Sequence, residues 1–250
     1  MKKWIEAFYD IRGGELERAQ SFEDEQRLFG KKNQSNPKQY IRLTIIVTVA
    51  GILFNATRTQ PIINLFIYFT NWSAWSVLFT AIYGLILASH PKWSQKRART
   101  MHALHHISYT LAMFTTPVVV VLYWSSLHKR HKHEIWENSL WHRGVETDLP
   151  LRQRLYRAKL RHTIAVHSIP AICTVVLMLI NHQTVLMKRH FPYLIGFCCL
   201  YGVVNYQAVQ YREGVPLYSF MTWRDQKSYG YALLMVVVSM TFFCLTAAIE

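Results

Sequence analysis

The sequence predicts an all-α polytopic membrane protein with six transmembrane helices and a short amphipathic N-terminal segment. Three observations predict it. Between Arg58 and Lys92 lie 33 consecutive residues without Asp, Glu, Lys or Arg, and four more such runs cover 100–128, 162–187, 190–211 and 228–249. Each run is long enough to cross a hydrocarbon core of about 30 Å, which takes roughly 20 mostly apolar residues. The basic residues behind the net charge of +14 gather in the connections between the runs, where anionic lipid headgroups are the nearest partner. The averages alone, 51% hydrophobic with a mean hydropathy of +0.07, would fit a soluble domain; the distribution of charge decides.

In chain order, residues 1–40 form a polar N-terminal arm. Trp4, Ile5, Phe8 and Ile11 recur at near-helical spacing, the pattern of a short interfacial helix, which Gly13-Gly14 interrupts. A second helical stretch, 15–29, ends at Gly30, and KKNQSNPK reads as a linker. Seven acidic residues before Lys31 and the lack of an apolar core argue against a secretory signal peptide or a standard mitochondrial presequence.

Residues 41–250 form the six-helix transmembrane domain. The first span, about 41–57, holds only 15 uncharged residues between Arg42 and Arg58, so both arginines are expected to snorkel to the interfaces. The others are placed at about 64–89, 107–127, 163–180, 191–209 and 229–249. A basic loop, 128–161, separates the third from the fourth and carries HKRHKH, Trp136, Trp141 and LRQRLYRAKLRH. The connection 210–228 turns at Gly214 and Pro216, with aromatics suited to the interface. Six spans put both termini on one side. That side holds 15 Lys and Arg against 13 on the other, so the positive-inside rule does not orient the chain. All four cysteines (Cys173, Cys198, Cys199 and Cys244) fall inside spans, as small apolar fillers rather than a disulfide framework.

Polar groups inside a membrane cost free energy unless paired, which makes them functional candidates. The stretch FTNWSAW (69–75) places Thr70 and Asn71 in the second span; His167 lies in the fourth and Asn205 in the fifth. Thr70 and His167 enter from the same side, and both lie about 6–9 Å below one interface at about 1.5 Å per residue. A hydroxyl and an imidazole at one depth can meet across a bundle. Imidazole can take the proton of a threonine and make it a nucleophile. No carboxylate occurs in any span, so a Thr70–His167 dyad is the available unit, with Asn71 or Asn205 as candidates to orient the ring or donate to an oxyanion. The bland alternatives are a threonine bonded to the carbonyl one turn back, near Phe66, and a histidine that only packs. No cofactor or metal is implied, and no nucleic acid.

At these residues the chain resembles a family. YFTNW at the second span, HSIPAI on the fourth and GVPLYSFMTW after the fifth are similar to the androgen-induced / androgen-dependent multi-pass membrane hydrolases and their Rolling-stone-like relatives. The resemblance covers roughly 40–248. It implies a six-helix threonine hydrolase that cleaves fatty-acid esters of hydroxy fatty acids, with Thr70 as nucleophile and His167 as its partner. The basic stretch 128–161 and the polar arm depart from the compact members, and extra surface of this kind suits protein contacts.

Two other classes compete. A non-catalytic accessory subunit of a large membrane complex, such as a respiratory assembly of the mitochondrial inner membrane, fits the basic surface rich in Trp and Tyr. Its partners would be neighbouring subunits and membrane lipids including anionic headgroups, and the compartment would be that membrane or the endomembrane system. A di-iron site would use His102, His105 and His106 with His162 and His167, but the predicted topology puts the two sets on opposite sides. A transporter lacks support: no repeat symmetry and no charged pair within the spans.

Overall fold

A computed structural model describes residues 36–59, 62–90, 95–138, 149–181, 191–214, 216–218 and 221–249. Among them every regular element is helical. Helix α1 runs Asn36–Thr59, with Pro37 in its first turn, where a missing N–H is no loss. Residues 36–40 therefore belong to the first helix rather than to the polar arm. The rest of that arm, including both expected N-terminal helices, lies outside the described residues.

The expected second span is present but broken. Helix α2 (Asn64–Ile67) and helix α3 (Phe69–Ser89) meet at Tyr68, which is extended at φ −91°, ψ 127°. Helix α4 (Gln95–Leu122) passes through a π-helical turn, Tyr123–Leu127, into helix α5 (His128–Asn138). Helix α6 is the longest, Leu149–Ile180. The basic stretch expected as a loop is thus helical at both ends, and only 139–148 lies outside the described residues. Its Arg, Lys, Leu, Gln and Ala are good helix formers, and charge alone does not prevent a helix. Helices α7 (Phe191–Tyr211) and α8 (Gln226–Ile249) complete the order.

Among the described residues four helices are long and apolar enough to cross a membrane: 37–58 in α1, 69–89 in α3, 97–125 spanning α4 and the π turn, and 153–180 in α6. Helices α7 and α8, of 21 and 24 residues, pack against each other and against α4.

The packing is that of a molecule in lipid. Ile172, Val175 and Leu179 face outward on α6, as do Leu200 and Val203 on α7, while Ser73, Ser76, Thr80, Thr116 and Thr174 are buried. All five of these hydroxyls bond to carbonyls three or four residues back, and Thr116 also reaches Thr174 across the α4–α6 contact at 3.1 Å. The core joins Ile45, Val49, Leu53 and Ala56 of α1 to Ala74, Val77 and Ala81 of α3 and to Leu177 of α6. Small residues on α3 let the backbones approach, which matters because lipid gives helices little hydrophobic reason to associate.

Arg42 departs from expectation. It does not snorkel; its side chain is fully buried, and its Nη2 donates to Asn181 Oδ1 at 2.7 Å. The guanidinium beside Asn181 ties the start of α1 to the end of α6. It also lies against Gly84 and His105, where a bulkier residue than glycine would crowd it. Arg58, by contrast, is exposed beside the Phe54 ring.

Candidate active site

The break at Tyr68 builds the site. A helix interrupted in lipid must satisfy the backbone groups it releases, and side chains do so here. Phe66 O accepts Trp72 Nε1–H at 2.6 Å, Asn64 O accepts the Asn71 amide at 2.9 Å, and Ile67 O accepts the Tyr201 hydroxyl at 3.2 Å. The Phe69 N–H donates to the hydroxyls of both Tyr201 and Tyr218, each at 3.1 Å. Part of the polarity of FTNWSAW is therefore consumed by the break itself.

Thr70 is left over. As the second residue of α3 it has no carbonyl one helical turn behind it in register, and the Phe66 carbonyl takes the Trp72 indole instead. Its Oγ1 lies 3.1 Å from His167 Nε2. The other ring nitrogen, Nδ1, is 2.6 Å from the Thr163 carbonyl on α6. A carbonyl only accepts, so Nδ1 carries the proton and Nε2 presents a lone pair to the Thr70 hydroxyl. The ring of the buried Tyr123 stacks on His167 at 3.8 Å between centroids, 15° from parallel. The Tyr123 hydroxyl is itself 3.0 Å from His128 Nδ1. Thr163 and Tyr123 are positioning residues: one sets the tautomer, the other the ring plane.

The connection between α7 and α8 closes the site from a third direction. Helix α7 ends in a turn where the Gly214 N–H reaches back to Val209 O at 2.8 Å, with Gly214 at φ +83°. Trp223 also adopts a positive φ, 57°, and its Nε1–H donates to Asn205 Oδ1 at 2.7 Å. Asn205 in turn donates to the Tyr201 hydroxyl at 3.3 Å. Tyr218 sits on this connection with its hydroxyl against the N–H of Phe69, the residue before Thr70, and burial pushes that hydroxyl up to about 12. At neutral pH it keeps its proton.

Two cavities meet at these residues. An open cleft of about 550 Å³ lies between α1, α3, α5 and α6, with Ile135, Leu155 and Val166 among its apolar walls and Asn55, Lys159 and His162 among its polar ones. On the other side is a void of about 20 Å³, walled by apolar groups such as Val119, Leu122 and Met235. Thr70, His167 and Tyr218 are the residues that line both.

Of the four site residues expected from sequence, Thr70 and His167 are brought together. Asn71 lines the cleft, but its amide bonds to Asn64 O; Asn205 bonds to Tyr201 and Trp223. The ring is oriented by the Thr163 carbonyl, which no residue type announces. Tyr218 was missed because aromatics in GVPLYSFMTW read equally well as interface residues. His102, His105 and His106 are buried on α4, and His105 lies beside Gly84, about 21 Å along α3 from Thr70. No group of three or more His, Cys, Asp or Glu side chains that could hold a metal ion occurs among the described residues. No protein-family model, curated protein or solved structure matches the chain.

Proposed function

We propose that the chain is a six-span, membrane-embedded lipid-ester hydrolase with Thr70 as nucleophile and His167 as general base. The observation that carries this reading is the relay Thr70 Oγ1–His167 Nε2, Nδ1–Thr163 O, at 3.1 and 2.6 Å, in the lining of an open, largely apolar cleft. It has the nucleophile–base–orienter order of a hydrolase triad, with a backbone carbonyl in the third place.

In the acylation step, Thr70 Oγ1 attacks the ester carbonyl carbon as its proton passes to His167 Nε2. The carbonyl π pair moves onto oxygen. Collapse of that intermediate breaks the bond to the alcohol, which leaves with the proton from Nε2. Water then repeats the sequence on the acyl-threonine, frees the acid and returns the proton to Thr70. Thr70 stands in the first turn of α3, where the positive end of the helix dipole favours developing negative charge.

The cleft suits an acyl chain beside a polar head, and the resemblance at YFTNW and HSIPAI suggests fatty-acid esters of hydroxy fatty acids as substrates. Incubation of purified protein with such an ester tests the reading. Release of both acids by wild type and not by Thr70→Ala is expected. Co-migration with a megadalton complex, without esterase activity, would instead favour the accessory-subunit reading.

A further inference from the structure

We infer that Tyr218 is a catalytic residue of the same site: its hydroxyl donates a hydrogen bond to the ester carbonyl oxygen as that oxygen becomes an anion. The inference rests on the hydrolase reading and adds a group that the reading leaves out, namely what receives the charge once Thr70 attacks.

Three observations carry it. With Thr70 and His167, Tyr218 forms the wall shared by the cleft and the inner void, so it borders the space where a carbonyl attacked by Thr70 must lie. Its lone pair accepts the Phe69 N–H at 3.1 Å, and this anchors the oxygen without using its proton. The neighbouring Tyr201 hydroxyl spends its own proton on Ile67 O. The Phe69 N–H that holds Tyr218 belongs to the residue next to Thr70, so the phenol stands beside the nucleophile before a substrate arrives. When Oγ1 bonds to carbon, the carbonyl oxygen beside it gains full charge. The Tyr218 hydroxyl donates to that oxyanion. No proton leaves the phenol, and the charge is returned when the alcohol departs.

A donor of this kind stabilises only the transition state, so it acts on kcat. Phe69 N–H would itself be released from Tyr218 in a phenylalanine variant, yet it retains Tyr201, and the edge contact of the ring with Tyr68, 6.3 Å between centroids, is preserved by Phe.

The test compares wild type, Thr70→Ala and Tyr218→Phe with p-nitrophenyl octanoate and its thionoester, alongside a fluorophosphonate probe that labels the nucleophile. Tyr218→Phe is expected to lower kcat by about 10²–10³-fold with KM little changed, and to slow labelling similarly. With the thionoester, whose sulfur accepts hydrogen bonds weakly, the penalty should shrink to a few-fold. If Tyr218→Phe is not recovered folded, 3-fluorotyrosine at 218 keeps the shape, and a rate that responds to the phenol's acidity takes its place as evidence. Ester turnover by Tyr218→Phe within threefold of wild type, or an equal penalty on both esters, overturns the Tyr218 role while the Thr70 reading survives. Labelling that Thr70→Ala does not remove overturns both.

Discussion

The Thr70 hydroxyl oxygen lies 3.1 Å from His167 Nε2, while His167 Nδ1 lies 2.6 Å from the Thr163 carbonyl one turn earlier on α6. One side of the imidazole is thereby fixed as a donor and the other as an acceptor. Nitrogen NMR on protein with labelled histidine should find His167 as the Nδ1–H tautomer, with Nε2 unprotonated. Protonation at Nε2 in the neutral ring would remove the base from the proposed chemistry.

Tyr123 supports that ring. Its replacement by Ala opens a gap beneath His167 in a buried position, at a cost of about 3–5 kcal/mol, and activity should fall with the loss of ring alignment. Tyr123→Phe keeps the stack and gives up the hydroxyl with its contact to His128, so most activity should remain. Ester hydrolysis rates and detergent-solubilised melting curves of the two variants check this; similar behaviour of both would show that the stacking does not matter.

Much of this arrangement could be read from residue order, and the rest could not for identifiable reasons. Charge-free runs marked the four helices long and apolar enough to cross a membrane, and counting residues inward from the expected starts of the second and fourth spans put Thr70 and His167 at one depth. The interruption at Tyr68 carries no proline or glycine, and it depends on hydroxyls from Tyr201 and Tyr218, both more than 130 positions away. A periodicity argument sees only neighbours along the chain. Arg42 was misplaced for the same reason: its partner, Asn181, lies 139 positions on, and without it a terminal arginine is expected at the interface. The Thr163 carbonyl is common to every residue type and leaves no mark in a sequence.

At the opposite end of the bundle, Gly84 is required by close approach. A Cβ there would sit 3.0 Å from Arg42 Nε and 3.2 Å from His105 Nε2, and the guanidinium is pinned by Asn181. Gly84→Ala should cost about 1–3 kcal/mol of stability through overpacking. Labelling of Thr70, about 21 Å away along α3, should persist in the folded fraction. Stability equal to wild type in a denaturant titration would mean that Arg42 has room to move.

Asp225 links pH to the connection that carries Tyr218. Its Oδ1 accepts the Ser228 N–H at 2.7 Å at the start of α8, and that bond, followed by the Ser228 hydroxyl, holds the carboxyl below its usual value. A depressed folded value means the contribution is complete above the unfolded carboxylate range and is lost as pH falls through the folded value. The protection factor of the Ser228 amide, its exchange relative to an unfolded amide at the same pH, should therefore hold at neutral pH and fall only below about pH 3.9. Asp225→Asn should flatten that acid response. Equal pH profiles for the two proteins would show that the carboxylate does not hold the turn.

The most direct measurement is the mass-spectrometric location of the adduct formed when the purified protein reacts with a fluorophosphonate. The account predicts a single modified residue, Thr70, with the adduct absent from Thr70→Ala and from His167→Ala although both variants remain folded. An adduct on another residue, or undiminished labelling of His167→Ala, would contradict it.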